Sequence, residues 1–226
     1  MRARLHGNGL TICWFTGLVF AVAVAAHFVA HPGAVPGEAR FSRWLQSLPL
    51  TTLANIGNDL AYTWTAGTIG IVVALIALVR KRWDITVLMI GALLIRPTNT
   101  IVKQLVERPR PTDAEVRITE HATGFSFPSG HTFGSALLLG ALVLALWRLP
   151  VSRRSHLAGT IVLALLALDC GMARVYVGAH WPTDVGGAWL IAALWLVVLG
   201  RIADFIWLRI GPMDHFRTPS GGSIRK

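Results

Sequence analysis

Charged residues are scarce in this chain. Asp, Glu, Lys and Arg make up 14% of the 226 residues, whereas hydrophobic residues make up 54%. A soluble domain usually carries about 25% charged residues, so this scarcity argues against a soluble protein. The apolar residues also occur in runs of roughly 20, the length that a helix needs to cross the hydrocarbon of a bilayer. The composition therefore favours an all-α, polytopic membrane protein.

Cysteines and clustered carboxylates are also few. The two cysteines, Cys13 and Cys170, lie in apolar runs near opposite membrane faces of the predicted layout, so we do not expect them to pair. No group of carboxylates shows the spacing of metal ligands, which favours metal independence and no cofactor. There is no internal repeat and no low-complexity tract, and little chain remains for a separate soluble domain.

Basic residues exceed acidic ones and give a net charge of +10. Such a charge can indicate nucleic-acid binding. Here, however, the basic residues lie between apolar runs rather than on one soluble face. A membrane surface is therefore the expected partner, not nucleic acid, and no obligate protein partner is predicted.

Six apolar stretches predict a bundle of six transmembrane helices in a single domain that covers residues 1–226. A segment of helical spacing at Phe41, Trp44, Leu45 and Leu48 is predicted to lie along the outer interface. The first stretch is long enough to span, although its small residues also resemble the cleavage region of a signal peptide. A basic tail, at about 201–226, follows the last span. The predicted spans are residues 10–30, 62–79, 85–106, 131–149, 157–173 and 185–199.

The distribution of Lys and Arg predicts the orientation. Most of them lie near the N-terminus, at residues 80–82, at residues 148–154 and in the tail. By the positive-inside rule, these segments and both termini are cytoplasmic. The loops 107–130 and 174–184 then share the outer face of a bacterial-type inner or plasma membrane.

Three polar clusters meet on that predicted outer face. In the first, Lys103 precedes Arg110 and its neighbouring prolines. The second is Pro-Ser-Gly-His at residues 128–131, where the fourth span begins. In the third, Arg174 is followed after five residues by His180 and after three more by Asp184.

The clusters together have the composition of a phosphate site. Lys103, Arg110 and Arg174 can neutralise a tetrahedral dianion, and the planar guanidinium matches phosphate oxygens. Ser129 and the backbone amide of Gly130 lie at a helix N-terminus, where free N–H groups and the helix dipole attract anions. The sequence therefore predicts that these five residues bind phosphate.

The same clusters supply a nucleophile and an acid. Because His180 and Asp184 are four residues apart, Asp184 can accept one imidazole N–H of His180 and leave the other nitrogen free to attack phosphorus. His131, on another helix, is placed to protonate the leaving oxygen as the general acid. Each feature alone also has an ordinary interpretation: a snorkelling cation, a helix N-cap or a structural hydrogen bond.

As a set, the three clusters resemble the tripartite signature of the type-2 phosphatidic acid phosphatase superfamily, over residues 103–184. The resemblance implies a six-helix membrane bundle. It also implies His180 as nucleophile, Asp184 as its partner, His131 as acid, and Lys103, Arg110, Ser129, Gly130 and Arg174 as phosphate ligands. In one departure, Ala173 precedes Arg174 where the family usually has serine. Loss of that hydroxyl would remove one hydrogen bond, worth about 1 kcal/mol.

The expected function is therefore that of a metal-independent lipid phosphatase acting through a phosphohistidine on the outer face. An undecaprenyl-type diphosphate is the favoured substrate, as for an undecaprenyl-diphosphate phosphatase, followed by phosphatidylglycerophosphate or phosphatidate. A lipid phosphotransferase remains an alternative. An anion transporter would need polar residues deep in several spans, and a soluble vanadium haloperoxidase would lack the long apolar runs.

Four residues outside the signature raise further expectations. Arg96-Pro97 marks a predicted kink in the third span, with no partner assigned to Arg96. Asp169 has two interpretations. If it is charged, we expect Lys103 or Arg174 to lie nearer to it than Arg96; otherwise it is neutral and donates a hydrogen bond to a backbone carbonyl. Arg108 and Arg117 are expected to be solvated charges on the rim of the site.

Overall fold

The chain folds into nine α-helices with no strand among the residues that the structure, a computed structural model, describes. These are residues 2–30 and 33–210, without the side chains of residues 2–11, 28 and 29. The expected all-α fold is confirmed. The helices are α1 (Arg2–Val29), α2 (Glu38–Ser47), α3 (Thr51–Ala61), α4 (Thr63–Val79), α5 (Trp83–Ile95), α6 (Thr98–Val106), α7 (Gly130–Leu146), α8 (Arg153–Tyr176) and α9 (Pro182–Ile210).

Three of the described segments are long and apolar enough to cross a membrane. They are Trp83–Val106, which comprises α5 and α6, together with α8 and α9. A fourth span forms if α3 and α4, which meet at 57°, are counted as one. Two apolar helices are shorter, Ile12–His27 within α1 and the whole of α7. The layout of six spans therefore stays a prediction.

The helix breaks where the kink is predicted, because α5 ends at Ile95 and α6 begins at Thr98, on either side of Arg96 and Pro97. Proline lacks the amide N–H that would continue the helix. By contrast, α3 was not predicted as a helix.

The predicted start of the tail, at about residue 201, lies within α9, which continues to Ile210. Apolar residues interrupt the charges of this segment, and Ala203 among them is buried. The remainder of the tail, 211–226, lies outside the described residues.

Helix α7 lies at the centre of the bundle, although it has only 17 residues. It packs against α3, α4, α5, α8 and α9. Its buried Phe133 and Leu137 join Leu88 and Met89 of α5 and Ala188 of α9 in the largest apolar core. Because most of its length is enclosed by protein, the N-terminus of α7 is held firmly among the ends of its neighbours.

The bundle has two polar ends. At one end, Arg82 pairs with Asp84 at 2.8 Å and Arg148 pairs with Asp204 at 2.5 Å. The other end carries loop 107–129 and the N-termini of α7 and α9. Between the ends, many large apolar side chains are exposed, among them Trp64 at 84%. Such a surface suits lipid, whereas in water it would be an aggregation hazard.

The buried ring of Phe127, in the loop before α7, packs against α9 at Gly187. A Cβ at Gly187 would lie 2.1 Å from Cε2 of Phe127, which is fully buried. We expect Gly187→Ala to force repacking at a cost of about 1–3 kcal/mol. The melting temperature in detergent should fall by about 2–4 °C for each kcal/mol lost.

The matched control is Gly186→Ala on the same helix, where no atom lies within 4 Å of an added Cβ. Because alanine favours a helix, this variant should melt at or above the wild-type temperature. Equal melting temperatures for the two variants would contradict the assigned contact.

Candidate active site

A tight turn between α8 and α9 carries His180. Gly178 has a φ of +76°, and the amides of Ala179 and His180 both donate to the carbonyl oxygen of Arg174, at 3.1 and 3.2 Å. A Cβ at Gly178 would lie 2.3 Å from the carbonyl oxygen of Arg117. Both the left-handed backbone and the close approach therefore require glycine at this position.

Asp184 holds His180 from the first turn of α9. Nδ1 of His180 lies 3.4 Å from Oδ2 of Asp184, and both side chains are buried. Arg108 donates to Oδ1 at 2.6 Å, and the amide of Trp181 donates to Oδ2 at 2.8 Å. The hydroxyl of Ser126 also donates to Oδ2. The carboxylate is thus fixed by three donors besides the imidazole.

The contacts of His180 identify its tautomer. Nη1 of Arg110 lies 3.1 Å from Nε2 of His180. A guanidinium can only donate, so Nε2 accepts and the ring proton is on Nδ1, facing Asp184. Burial lowers the pKa of His180 to about 3. At neutral pH the ring is therefore uncharged, and the lone pair of Nε2 faces Arg110.

Two cations surround that lone pair and also hold the loop above it. Lys103 donates to the carbonyl oxygens of Phe125 and Ser126, at 2.6 and 3.2 Å. Arg110 donates to the carbonyl oxygen of Gly124 at 2.9 Å. The positive charges of Lys103 and Arg110 both interact electrostatically with the imidazole of His180. This arrangement places two positive charges where an anion would approach Nε2.

A third cation, Arg174, is fully buried. Its guanidinium makes two contacts of 3.0 Å with Glu120 and also donates to Asn58. Burial raises the pKa of Glu120, but Arg174 outweighs it and holds that pKa below the usual value. Nε of Arg174 has no hydrogen-bond partner within the described residues.

The N-terminus of α7 is joined directly to the start of α9. The amide of Ser129 donates to the carbonyl oxygen of Asp184 at 3.2 Å. The hydroxyl of Ser129 caps α7, accepting from the amide of Thr132 at 3.4 Å and from its hydroxyl at 2.9 Å. The adjacent amide of Gly130 lies at the positive end of the helix dipole.

His131 lies half-buried on the first turn of α7, where its ring meets Tyr62 edge-on at 5.5 Å between centroids. The positive charges of Arg110 and Arg174 both interact electrostatically with the imidazole of His131. Arg110 also contacts His180. Residues of all three sequence clusters therefore meet around the side chain of Arg110. The structure thus brings all eight predicted residues to one end of the bundle, while their catalytic and binding roles stay predictions.

The structure contradicts the predicted position of Arg108. Expected on the rim, it is instead fully buried, with contacts of 2.6 Å to both Asp184 and Glu38. Glu38 in turn accepts from the amide of Thr183 at 3.1 Å. An arginine in a polar loop carries no local signal of burial, because its partners come from distant helices.

The sequence prediction also missed the other neutral and acidic partners of the site. These are Ser126 beside Asp184, and Asn58 and Glu120 beside Arg174. Asp169 makes no ion pair with any described residue and lies instead against Gly57 of α3. Across residues 2–30 and 33–210, no group of three or more His, Cys, Asp or Glu is arranged to hold a metal ion.

The chain is similar to known proteins in sequence and in fold. The sequence profile of the PAP2 superfamily matches residues 81–207, which include all three clusters. The chain belongs to the PAP2 superfamily. Glu38 and Asn58, which lie N-terminal to the matched region, extend the network of this PAP2 site.

Two curated relatives illustrate the sequence similarity. Phosphatidylglycerophosphatase B of Bacillus subtilis is 32% identical over 116 residues, which cover 51% of this chain and 56% of the relative. Undecaprenyl-diphosphatase of Sulfolobus acidocaldarius is 31% identical over 105 residues, which cover 46% and 41%. The matches thus span about half the length of these relatives.

Two crystal structures share the fold. A transmembrane PAP2-type phosphatidylglycerolphosphate phosphatase from Bacillus subtilis has a TM-score of 0.71 and 21% identity, covering 85% of this chain and 96% of its own. LpxE of Aquifex aeolicus has a TM-score of 0.55 and 19% identity, covering 76% and 96%. With its apolar helices, this PAP2 protein is an integral membrane protein.

Arg108 provides a test of the buried network. Arg108→Ala should leave Glu38 and Asp184 as unpaired buried charges and cost about 3–5 kcal/mol of folding free energy. The measurement is a denaturation midpoint in detergent micelles.

As a control, Arg40→Ala removes an exposed arginine from α2, the helix that carries Glu38. This variant should remain within about 0.5 kcal/mol of wild type. A similarly small effect at Arg108 would show that the charges of Glu38 and Asp184 do not depend on it.

Proposed function

We propose that this PAP2 protein is a lipid phosphate or diphosphate phosphatase that acts through a phosphohistidine at His180. The observation that carries the proposal is the His180–Asp184 pair, whose free Nε2 lies beside Arg110 at 3.1 Å. A neutral imidazole with an oriented lone pair is a nucleophile, and a neighbouring guanidinium attracts the phosphate that it would attack.

The first chemical step is attack of Nε2 on the phosphorus atom. The dianion takes over the donor that Arg110 offers to Nε2 and also engages Lys103, Arg174 and the N-terminus of α7. Asp184 stabilises the positive charge that develops on His180 as the new P–N bond forms. His131, in its protonated form, delivers a proton to the leaving oxygen as the old P–O bond breaks.

Water completes the reaction. With its proton gone, His131 can act as the base that activates a water molecule against the phosphohistidine. Hydrolysis of the P–N bond then releases inorganic phosphate and restores the neutral His180. Because the side chains described here suffice for both steps, we expect no requirement for a metal ion or another cofactor.

A groove beside the site supports a lipid substrate. It has a volume of about 760 Å³ and reaches from Gly130 and His131 past Gly67 to Ile71 and Leu93. Its lining combines polar side chains, such as His131, with apolar ones, such as Ile71 and Leu93. A lipid chain can lie in the groove while its head group reaches the cations. Relatives named for prenyl diphosphate and phosphatidylglycerophosphate substrates make these the first classes to test.

The test measures phosphate release in detergent from a prenyl diphosphate, phosphatidylglycerophosphate and phosphatidate, each with and without a chelator. We expect release from at least one lipid with no added acceptor, unchanged by the chelator. His131→Ala should lower kcat by about 10²–10⁴-fold. His180→Ala should abolish turnover and the trapping of labelled phosphate on the protein.

Three results would contradict the proposal. Full activity in His180→Ala would remove the nucleophile, and activity that disappears with the chelator would remove the metal-free mechanism. Release only in the presence of a second lipid as acceptor would identify a phosphotransferase instead. The melting temperature of each variant is the control for folding.

The proposal includes the side of the membrane on which the site lies. The positive-inside rule places loop 107–129 outside and the turn at residues 80–82 inside. In a Cys13→Ser background, Asp113→Cys in that loop should react with an impermeant maleimide on intact cells. Arg80→Cys, at the opposite end of the bundle, should react only after lysis. The reverse pattern would place the site in the cytoplasm.

A further inference from the structure

Arg96 is a half-buried cation that neither the fold nor the proposed mechanism uses. It lies at the break between α5 and α6, and its guanidinium contacts Thr63, at 3.3 Å to the carbonyl oxygen and 3.2 Å to the hydroxyl. Within residues 2–30 and 33–210 it forms no ion pair. A cation among apolar helices with only neutral partners is costly, so an anion from outside the chain is its expected partner.

The position of Arg96 relates it to the candidate acid, His131. A Cβ at Gly134 would lie 2.7 Å from Nη2 of Arg96, so the missing side chain makes room for the guanidinium against α7. Gly134 follows His131 by three residues and therefore shares its face of the helix, roughly 4.5 Å deeper along the axis. The charge of Arg96 acts on His131.

Arg96 and His131 both line the groove proposed for the lipid. In the proposed binding mode, the terminal phosphate of the lipid meets His180 and the lipid chain lies in this groove. His131 then faces the bond that breaks, and Arg96 lies next in line on the side of the leaving group. A positive charge at that point stabilises a leaving group that is itself anionic.

On this basis we infer that Arg96 binds the phosphate that remains on the lipid when a diphosphate is cleaved. The inference rests on the proposed function. His180 bonds to the terminal phosphorus, the bond from that phosphorus to the bridging oxygen breaks, and the bridging oxygen leaves on the lipid monophosphate with the proton from His131. Water then releases inorganic phosphate. Cleavage of a monophosphate instead yields a neutral alcohol, which offers Arg96 no anion.

Arg96 is thus a specificity-determining residue for diphosphates. The test compares kcat/KM for farnesyl diphosphate and farnesyl monophosphate in detergent. Arg96→Gln should lower the value for the diphosphate by about 10- to 100-fold, the effect of one charge-assisted contact, and the value for the monophosphate by less than about threefold. Arg96→Lys should recover part of the preference, because it restores the charge without the planar fork.

A second variant displaces Arg96 without removing it. Gly134→Ala puts a methyl group into the space of the guanidinium, and since alanine favours a helix, the fold should persist. Like Arg96→Gln, it should lower kcat/KM for the diphosphate more than kcat/KM for the monophosphate. Arg80→Gln, an exposed arginine at the other end of the bundle, should leave the preference unchanged.

Equal losses on both substrates, together with a lower melting temperature, would assign Arg96 a structural role and overturn the inference. The inference would also be overturned if both Arg96→Gln and Gly134→Ala left the ratio of the two kcat/KM values, diphosphate to monophosphate, unchanged. The comparison requires that the wild-type protein hydrolyses both substrates, and hydrolysis of the monophosphate alone would also overturn the inference. If it hydrolyses neither these nor the other lipids, it is the proposed function that fails.

Discussion

The carboxylate of Asp184 is the group on which the rest of the site depends. It is fully buried, so its charge must be matched inside the protein. Arg108 supplies the matching charge, while Ser126 and the amide of Trp181 satisfy the remaining oxygen. Only a carboxylate fixed in this way can hold the proton of His180 on Nδ1 and leave Nε2 open.

That requirement explains why the network extends so far along the chain. Arg108 is neutralised by Glu38 as well as by Asp184, and Glu38 also accepts from the amide of Thr183. The short helix α2, which begins at Glu38, is thereby attached to the start of α9. A change in α2 can therefore disturb the imidazole without touching it.

The cations divide into two kinds according to what surrounds them. Arg108 and Arg174 have carboxylates within 3.0 Å and contribute to the framework as well as to the local field. Lys103, Arg110 and Arg96 contact carbonyl, hydroxyl or imidazole groups, which leave their charge largely unneutralised. Because no carboxylate matches the charge of the second kind, an anion would gain most from those cations.

The sequence by itself determined the helical class, the helix break at Pro97 and the residues of the three clusters. Apolar periodicity, a missing amide and fixed spacings are local properties that a sequence displays directly. Only the tertiary structure decided that Arg108 is buried, that Glu38 and Asn58 belong to the site, and that Gly134 admits Arg96 beside His131. Those contacts join residues from 38 to more than 100 positions apart, and whether an arginine meets water, a carboxylate or a lipid depends on which helices pack around it.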